Sequence, residues 1–121
     1  MIPSEDLLRF IASSFRSVWA LELLLVLKRD ARVWSAGELV TTMRASDLVV
    51  SKALDSLVAA GLVSVEVGGA RYLPISDEVA DRVGQLESLY AARPDAVRRA
   101  IVAAGASGMT AFADAFKLRK D

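Results

Sequence analysis

One run of the chain, residues 46–63 (SDLVVSKALDSLVAAGLV), constrains the fold more than any other part of the sequence. Ser46 is a favourable helix N-cap, and Gly61 can end a helix in the left-handed conformation. Between them, apolar residues recur at the i, i+3, i+4, i+7 spacing of one helix face. These residues are Val50, Ala53, Leu54 and Leu57. From Leu62 onward the run alternates as a β-strand does, so it predicts a half-buried helix that leads directly into a strand.

The remaining sequence predicts a mainly α protein with one small β-hairpin. Ser4 caps a first helix, a second apolar helix spans about Arg16 to Arg29, and a capping box of Ser35 and Glu38 starts a third. The other expected elements are a strand bridge at Val33-Trp34, strands over Leu62–Val67 and Arg71–Ile75 around a Gly68-Gly69 turn, a helix from Ser76 to about Ala92, one from Pro94, and a last one with Met109, Phe112, Phe116 and Leu118. The expected order is α-α-α-α-β-β-α-α-α.

Length and composition favour one domain that associates with a partner. The 121 residues are enough for a single core. The hydrophobic fraction is 54% and the mean hydropathy +0.38, yet no apolar run approaches the roughly 18 to 20 residues that span a bilayer. We therefore expect no membrane span. The excess apolar surface predicts a protein interface, most simply with a second copy of the chain.

The residue types that are absent argue against an enzyme. The chain has no cysteine and no histidine, which removes thiolate chemistry, the commonest general base and the commonest metal ligand. The acid pairs Glu5/Asp6 and Asp77/Glu78 are first-turn helix residues rather than a catalytic dyad. We expect no catalytic site, cofactor or metal. The acidic start of the chain has no basic n-region, which predicts a cytoplasmic protein.

Residues 34–75 resemble the winged helix-turn-helix of bacterial MarR-like transcriptional regulators. The run VSKALDSLVAAGLV is similar without gaps to their "VSRALRRLEEAGLV"-type signature, and GGARYLPIS resembles their wing. The resemblance implies a sequence-specific DNA-binding regulator that acts as a homodimer. It divides the single domain 1–121 into N-terminal helices (1–30), a winged helix-turn-helix core (31–75) and C-terminal helices (76–121), with the flanking helices forming the dimer.

The resemblance also implies which residues contact double-stranded DNA. The recognition helix, residues 46–60, would enter the major groove, and the wing, residues 62–75, would meet the backbone or the minor groove. The base-reading face would be Ser46, Asp47, Leu48, Val49, Ser51, Lys52 and Asp55. Lys52 takes the position of the family's basic residue, Arg71 lies on the returning wing strand, and Arg44 and Arg32 are expected to contact the DNA backbone.

The charge of this region leaves other interpretations open. From Ser35 to Ile75 there are three basic and four acidic residues, and the whole chain has no net charge, so few phosphates could be neutralised. The alternative function is a winged-helix module that binds another regulatory protein instead of DNA. A repressor that responds to an unidentified small-molecule effector is a variant of the first function. Each residue also has a simpler interpretation than a DNA contact. Lys52 can be a solvated helix residue, Ser46 can act only as a helix cap, and Asp47 can be a first-turn acid that stabilises the helix dipole.

Trp19 and Trp34 are predicted to pack in the core or in a dimer interface rather than to line a ligand cage. The basic end of the chain, Lys117 to Lys120, is expected to complement a helix C-terminus.

Overall fold

Six helices and one two-stranded antiparallel sheet make up residues 4–104, the part of the chain that the computed structural model describes. The elements are α1 (Glu5–Ser14), α2 (Val18–Arg29), α3 (Ala36–Met43), α4 (Asp47–Ala59), β1 (Val63–Glu66), β2 (Gly69–Tyr72), α5 (Asp77–Ala92) and α6 (residues 94–104). The predicted mainly helical fold with one small hairpin is confirmed. The predicted last helix and the basic end lie outside the described residues.

Serine side chains cap five of the helices. Each serine hydroxyl accepts a hydrogen bond from the backbone N–H three residues later, which satisfies one of the free donors of the first turn. The caps are Ser4, Ser17, Ser35, Ser46 and Ser76. The expected capping box is present, because Glu38 accepts in return from the Ser35 N–H. The second helix, expected from about Arg16 to Arg29, is present and starts slightly later, because the Ser17 cap sets its start at Val18 and leaves Arg16 before the helix.

The hairpin turn lies one residue earlier than predicted. Glu66 pairs with Gly69, so the turn residues are Val67 and Gly68 rather than Gly68 and Gly69. Gly68 has a φ of +93°, a left-handed conformation that favours glycine at the second turn position. Gly69 (φ +152°) already belongs to β2 and passes against Trp34, where an added Cβ would lie 1.9 Å from the Trp34 carbonyl oxygen.

A strand bridge joins the hairpin to the segment before α3. Trp34 and Ala70 exchange backbone hydrogen bonds of 2.8 and 2.9 Å, so the bridge predicted at Val33-Trp34 is confirmed. The predicted second strand, Arg71–Ile75, is too long at its end, because β2 finishes at Tyr72. The Leu73 N–H still donates to the Leu62 carbonyl and the Ile75 N–H to the Gly61 carbonyl. Pro74 lies between them and has no N–H to donate.

The core is a single cluster of buried side chains that extends from α1 to α6. Helix α2 lies at its centre, as its nearly uniform apolar sequence predicts, and buries Ala20, Leu21, Leu23, Leu24, Leu25 and Leu27. The two tryptophans differ. Trp34 is buried and its indole N–H donates to the Asp30 carbonyl, 2.9 Å away. Trp19, for which core packing was one expectation, is 45% exposed and lies in the first turn of α2 beside α4.

Polar contacts join α5 to α2. Lys28 Nζ lies 2.7 Å from Glu87 Oε1, and the Tyr90 hydroxyl donates to the Glu22 carboxylate. Burial, followed by that hydrogen bond to Glu22, raises the pKa of Tyr90. These contacts hold α5 against α2 at two positions.

Within the described residues, no single helix is long and apolar enough to cross a membrane. Helices α1 and α2 reach that length only together, and they are bent by 100° at the break between them.

Candidate nucleic-acid interface

Helix α4 buries one side and exposes the other, as the sequence predicts. Val50, Ala53 and Leu57 are buried, while Leu54 is half-buried. Of the seven residues expected to read DNA, six are exposed: Ser46, Asp47, Leu48, Ser51, Lys52 and Asp55. The seventh, Val49, is half-buried. Leu48 is 63% exposed, an unusually large apolar contribution to an outer helix face.

The connection between α3 and α4 is short and strained. Arg44 ends α3 with φ +54° and ψ +41°, and it is the only non-glycine with a positive φ among residues 4–104. The Ala45 N–H then donates to the Val40 carbonyl, and Ser46 caps α4. For an L-residue other than glycine, the left-handed conformation costs about 1–2 kcal/mol. An exposed arginine held in such a conformation, directly before an exposed helix, suggests that its side chain serves a function.

Replacement of Arg44 by glycine is expected to separate stability from binding. Arg44→Gly should raise the free energy of unfolding by about 0.5–1 kcal/mol, because glycine adopts the left-handed conformation without a steric cost. The same change should weaken DNA binding, because it removes an exposed cation beside α4. Denaturant unfolding and a fluorescence-anisotropy titration with DNA measure the two effects.

Arg44→Asn is the matched control, since asparagine also tolerates the left-handed conformation but carries no charge. It should weaken binding as much as glycine does. Unchanged affinity in both variants would mean that Arg44 makes no DNA contact.

Arg32 is already engaged by acidic and aromatic neighbours. Its guanidinium lies 3.1 Å from both Asp30 and Glu38 carboxylates, and 3.8 Å from the centre of the Trp34 ring. Hydrogen bonding to Glu38, then to Asp30, raises the pKa of Arg32. A hydrogen bond from the Ser35 N–H, and next in size one from the Arg32 side chain, lowers the pKa of Glu38. The expected DNA-backbone contact by Arg32 would require it to leave these partners.

Arg71, the expected wing cation, is also paired. Its Nε lies 3.6 Å from Glu66 Oε2 on the adjacent strand, and both side chains are partly exposed. Exposed ion pairs of this kind contribute only about 0–1 kcal/mol. Arg71 could therefore leave Glu66 and pair with a DNA phosphate at little cost in free energy. The rest of the hairpin tip is apolar, with Val65 and Val67 exposed.

Three cations around α4 have no acidic partner in the described part of the chain: Arg16, Arg44 and Lys52. Lys52 lies on the outer face of α4, and Arg44 lies just before its N-terminus. Sequence reasoning missed Arg16. It is far from residues 46–63 in sequence, and only the packing of α2 against α4 brings it to the same surface.

A groove of about 530 Å³ separates the start of α2 from the side of α4. Arg16, just before α2, and Trp19, in its first turn, line one side, and Val49, Lys52, Asp55 and Ala59 line the other side from α4. The groove therefore combines two cations, one carboxylate and an exposed indole beside the outer face of α4. No known protein family, curated protein or solved structure matches the chain.

Proposed function

We propose that residues 34–75 form a winged helix-turn-helix of the MarR-like kind, and that the protein is a homodimeric, sequence-specific DNA-binding regulator of transcription. The order of elements supports this: α2, the Trp34 bridge, α3, a tight turn, α4 and then a hairpin whose second strand pairs with the bridge. The observation that carries the proposal is α4 itself, which is fixed in the core on one side and exposes on the other a face whose cation, Lys52, has no acidic partner among residues 4–104.

In this proposal α4 enters the major groove of DNA. An α-helix with its side chains is about 10–12 Å wide and the groove about 12 Å, so one helix fills it. Lys52 would contact a phosphate or a guanine edge, Asp47 or Asp55 could accept from a cytosine amino group, and Leu48 could contact a thymine methyl. The hairpin would meet the backbone or the minor groove through Arg71.

Dimerisation would place two such helices on one site. Helices α1, α5 and α6 lie outside the α2–β2 region, and Leu8 on α1 and Val102 on α6 are exposed apolar residues on them. Two copies related by a two-fold axis would read half-sites about one helical turn apart. Light scattering coupled to size-exclusion chromatography tests this step, and a monomer at micromolar concentration would argue against paired docking.

Selection from a random pool of DNA duplexes tests the function directly. We expect enrichment of a partly palindromic sequence, and a gel shift with that sequence at low salt that weakens as salt is added. Absence of both enrichment and a shift at low salt would refute the DNA-binding proposal.

The second candidate is a protein-interaction module built on the same surface. The observation that favours it is that both elements proposed to contact DNA expose large apolar residues: Leu48 on α4, and Val65 and Val67 on the hairpin. Exposed apolar residues in contiguous patches commonly mark protein interfaces. A purified regulatory protein that binds stoichiometrically, loses binding with Leu48→Asp and keeps it with Lys52→Ala would favour this candidate.

A further inference from the structure

The groove between α2 and α4 contains features that the proposed docking of α4 alone does not use. Arg16, just before α2, and Trp19, in its first turn, line the groove, and neither belongs to the face of α4 that would read bases. Trp19 is 45% exposed there, although tryptophan is usually largely buried. On the α4 side the groove is lined by small or slim residues, including Val49, Ala53 and Ala59. An extended strand could therefore approach α4 closely along this side.

DNA geometry requires a strand at this position if α4 lies in the major groove. Because the helix fills the groove, the two sugar–phosphate strands that border it must pass along the flanks of the helix. One flank of α4 is the groove beside α2. We infer that this groove receives one bordering DNA strand, with Arg16 contacting a phosphate and the Trp19 ring packing against a deoxyribose. The inference rests on the proposed function and names two DNA-contacting residues outside residues 34–75.

The charges of the groove fit a phosphodiester strand. Arg16 and Lys52 give two cations against one carboxylate, Asp55. Neither cation has an acidic partner among residues 4–104, so no ion pair within that part of the chain has to break before a phosphate binds. Phosphate contacts position a protein on the duplex but carry no sequence information. Arg16 should therefore set affinity and salt dependence, and leave base preference to α4.

Salt titration of three variants tests the role of Arg16. Arg16→Ala should weaken binding about 3- to 10-fold at every sequence tested and reduce the slope of log K against log salt by about 2, because a dimer presents two copies of Arg16 and each contributes about 1 through one phosphate. Arg16→Lys should retain the slope. Arg99→Ala, which removes another exposed arginine, on α6, is the matched control and should change neither. Circular dichroism confirms that each variant is folded.

Tryptophan emission tests the role of Trp19 independently. Because Trp34 is buried and Trp19 is exposed, DNA bound in the groove should change the emission of Trp19. The change should disappear in Trp19→Phe while Arg16→Ala retains it at saturating DNA. Phenylalanine keeps an aromatic ring, so this variant should still bind.

The outcomes separate the inference from the function it rests on. If the wild-type protein binds no DNA at low salt, the proposed function fails and the inference fails with it. If the wild type binds selected DNA but Arg16→Ala keeps the full salt slope, the inference alone is overturned. A protein partner that changes Trp19 emission in place of DNA would also overturn it.

Discussion

Gly69→Ala is expected to lower the free energy of unfolding by about 3–5 kcal/mol, a large share of the stability of a domain of this size. The added Cβ would lie 1.9 Å from the Trp34 carbonyl oxygen and 3.0 Å from the Ser35 Cα. Both neighbours are backbone atoms, so a side-chain rotation cannot relieve the overlap. The strand would have to move away from the bridge, at the cost of the two hydrogen bonds between Trp34 and Ala70.

The neighbouring glycine provides the matched control. Gly68 also has a positive φ, +93°, but a Cβ built there meets nothing within 4 Å. Gly68→Ala should therefore cost only the backbone strain, about 1–2 kcal/mol. Urea unfolding followed by circular dichroism compares the two variants, which add the same methyl group one residue apart. Equal losses would show that the contact between β2 and Trp34 does not stabilise the fold.

The same two glycines show which features of the hairpin the local sequence can predict and which it cannot. Gly-Gly between two alternating segments predicts a hairpin turn, and a hairpin is present. The sequence does not show that Gly69 is needed for its close approach to Trp34 rather than for the turn. That requirement comes from a segment that precedes it by 35 residues, and such a contact has no local signal. The local pattern therefore predicts the turn one residue later in the chain than the structure has it.

Local patterns predicted α4 well because they act within a few residues. The Ser46 cap, the apolar spacing from Val50 to Leu57 and the left-handed Gly61 (φ +75°) are all present. Burial of individual side chains on α2 was harder to predict. A helix that is apolar on most faces gives no contrast between its sides, so the exposure of Trp19 follows only from how α4 packs beside it.

The sequence predicts the part of the candidate site that lies on α4, but it does not predict the groove between α2 and α4. The sequence shows Lys52 and Arg44 near the expected reading face, but it cannot show which arginines are already paired. In the structure Arg32 lies against Asp30, Glu38 and Trp34, whereas Arg16 faces the groove. The distribution of available cations depends on tertiary neighbours, and it shifts the expected phosphate contacts from Arg32 toward Arg16.

Lys52→Glu is expected to have the largest effect on function. It should lower affinity for selected DNA about 100-fold, or roughly 2.8 kcal/mol, through loss of a charge-assisted contact and added repulsion from the phosphates. The effect should be large because the outer face of α4 already carries Asp47 and Asp55, and Lys52 is its only cation. Anisotropy titrations at fixed salt measure it.

Arg99→Glu is the matched control, because it makes the same change in net charge at an exposed position on α6. It should alter DNA affinity less than about 3-fold, because Arg99 lies outside α4 and the groove that are proposed to contact DNA, and salt weakens long-range repulsion. Equal losses in the two variants would mean that binding follows net charge alone and that α4 is not the reading element. Unchanged DNA affinity in Lys52→Glu, together with loss of a protein partner in Leu48→Asp, would instead favour the interaction module. Whether Lys52→Glu lowers DNA affinity therefore separates the two functions, because a surface that binds a protein through Leu48 does not require a cation at position 52.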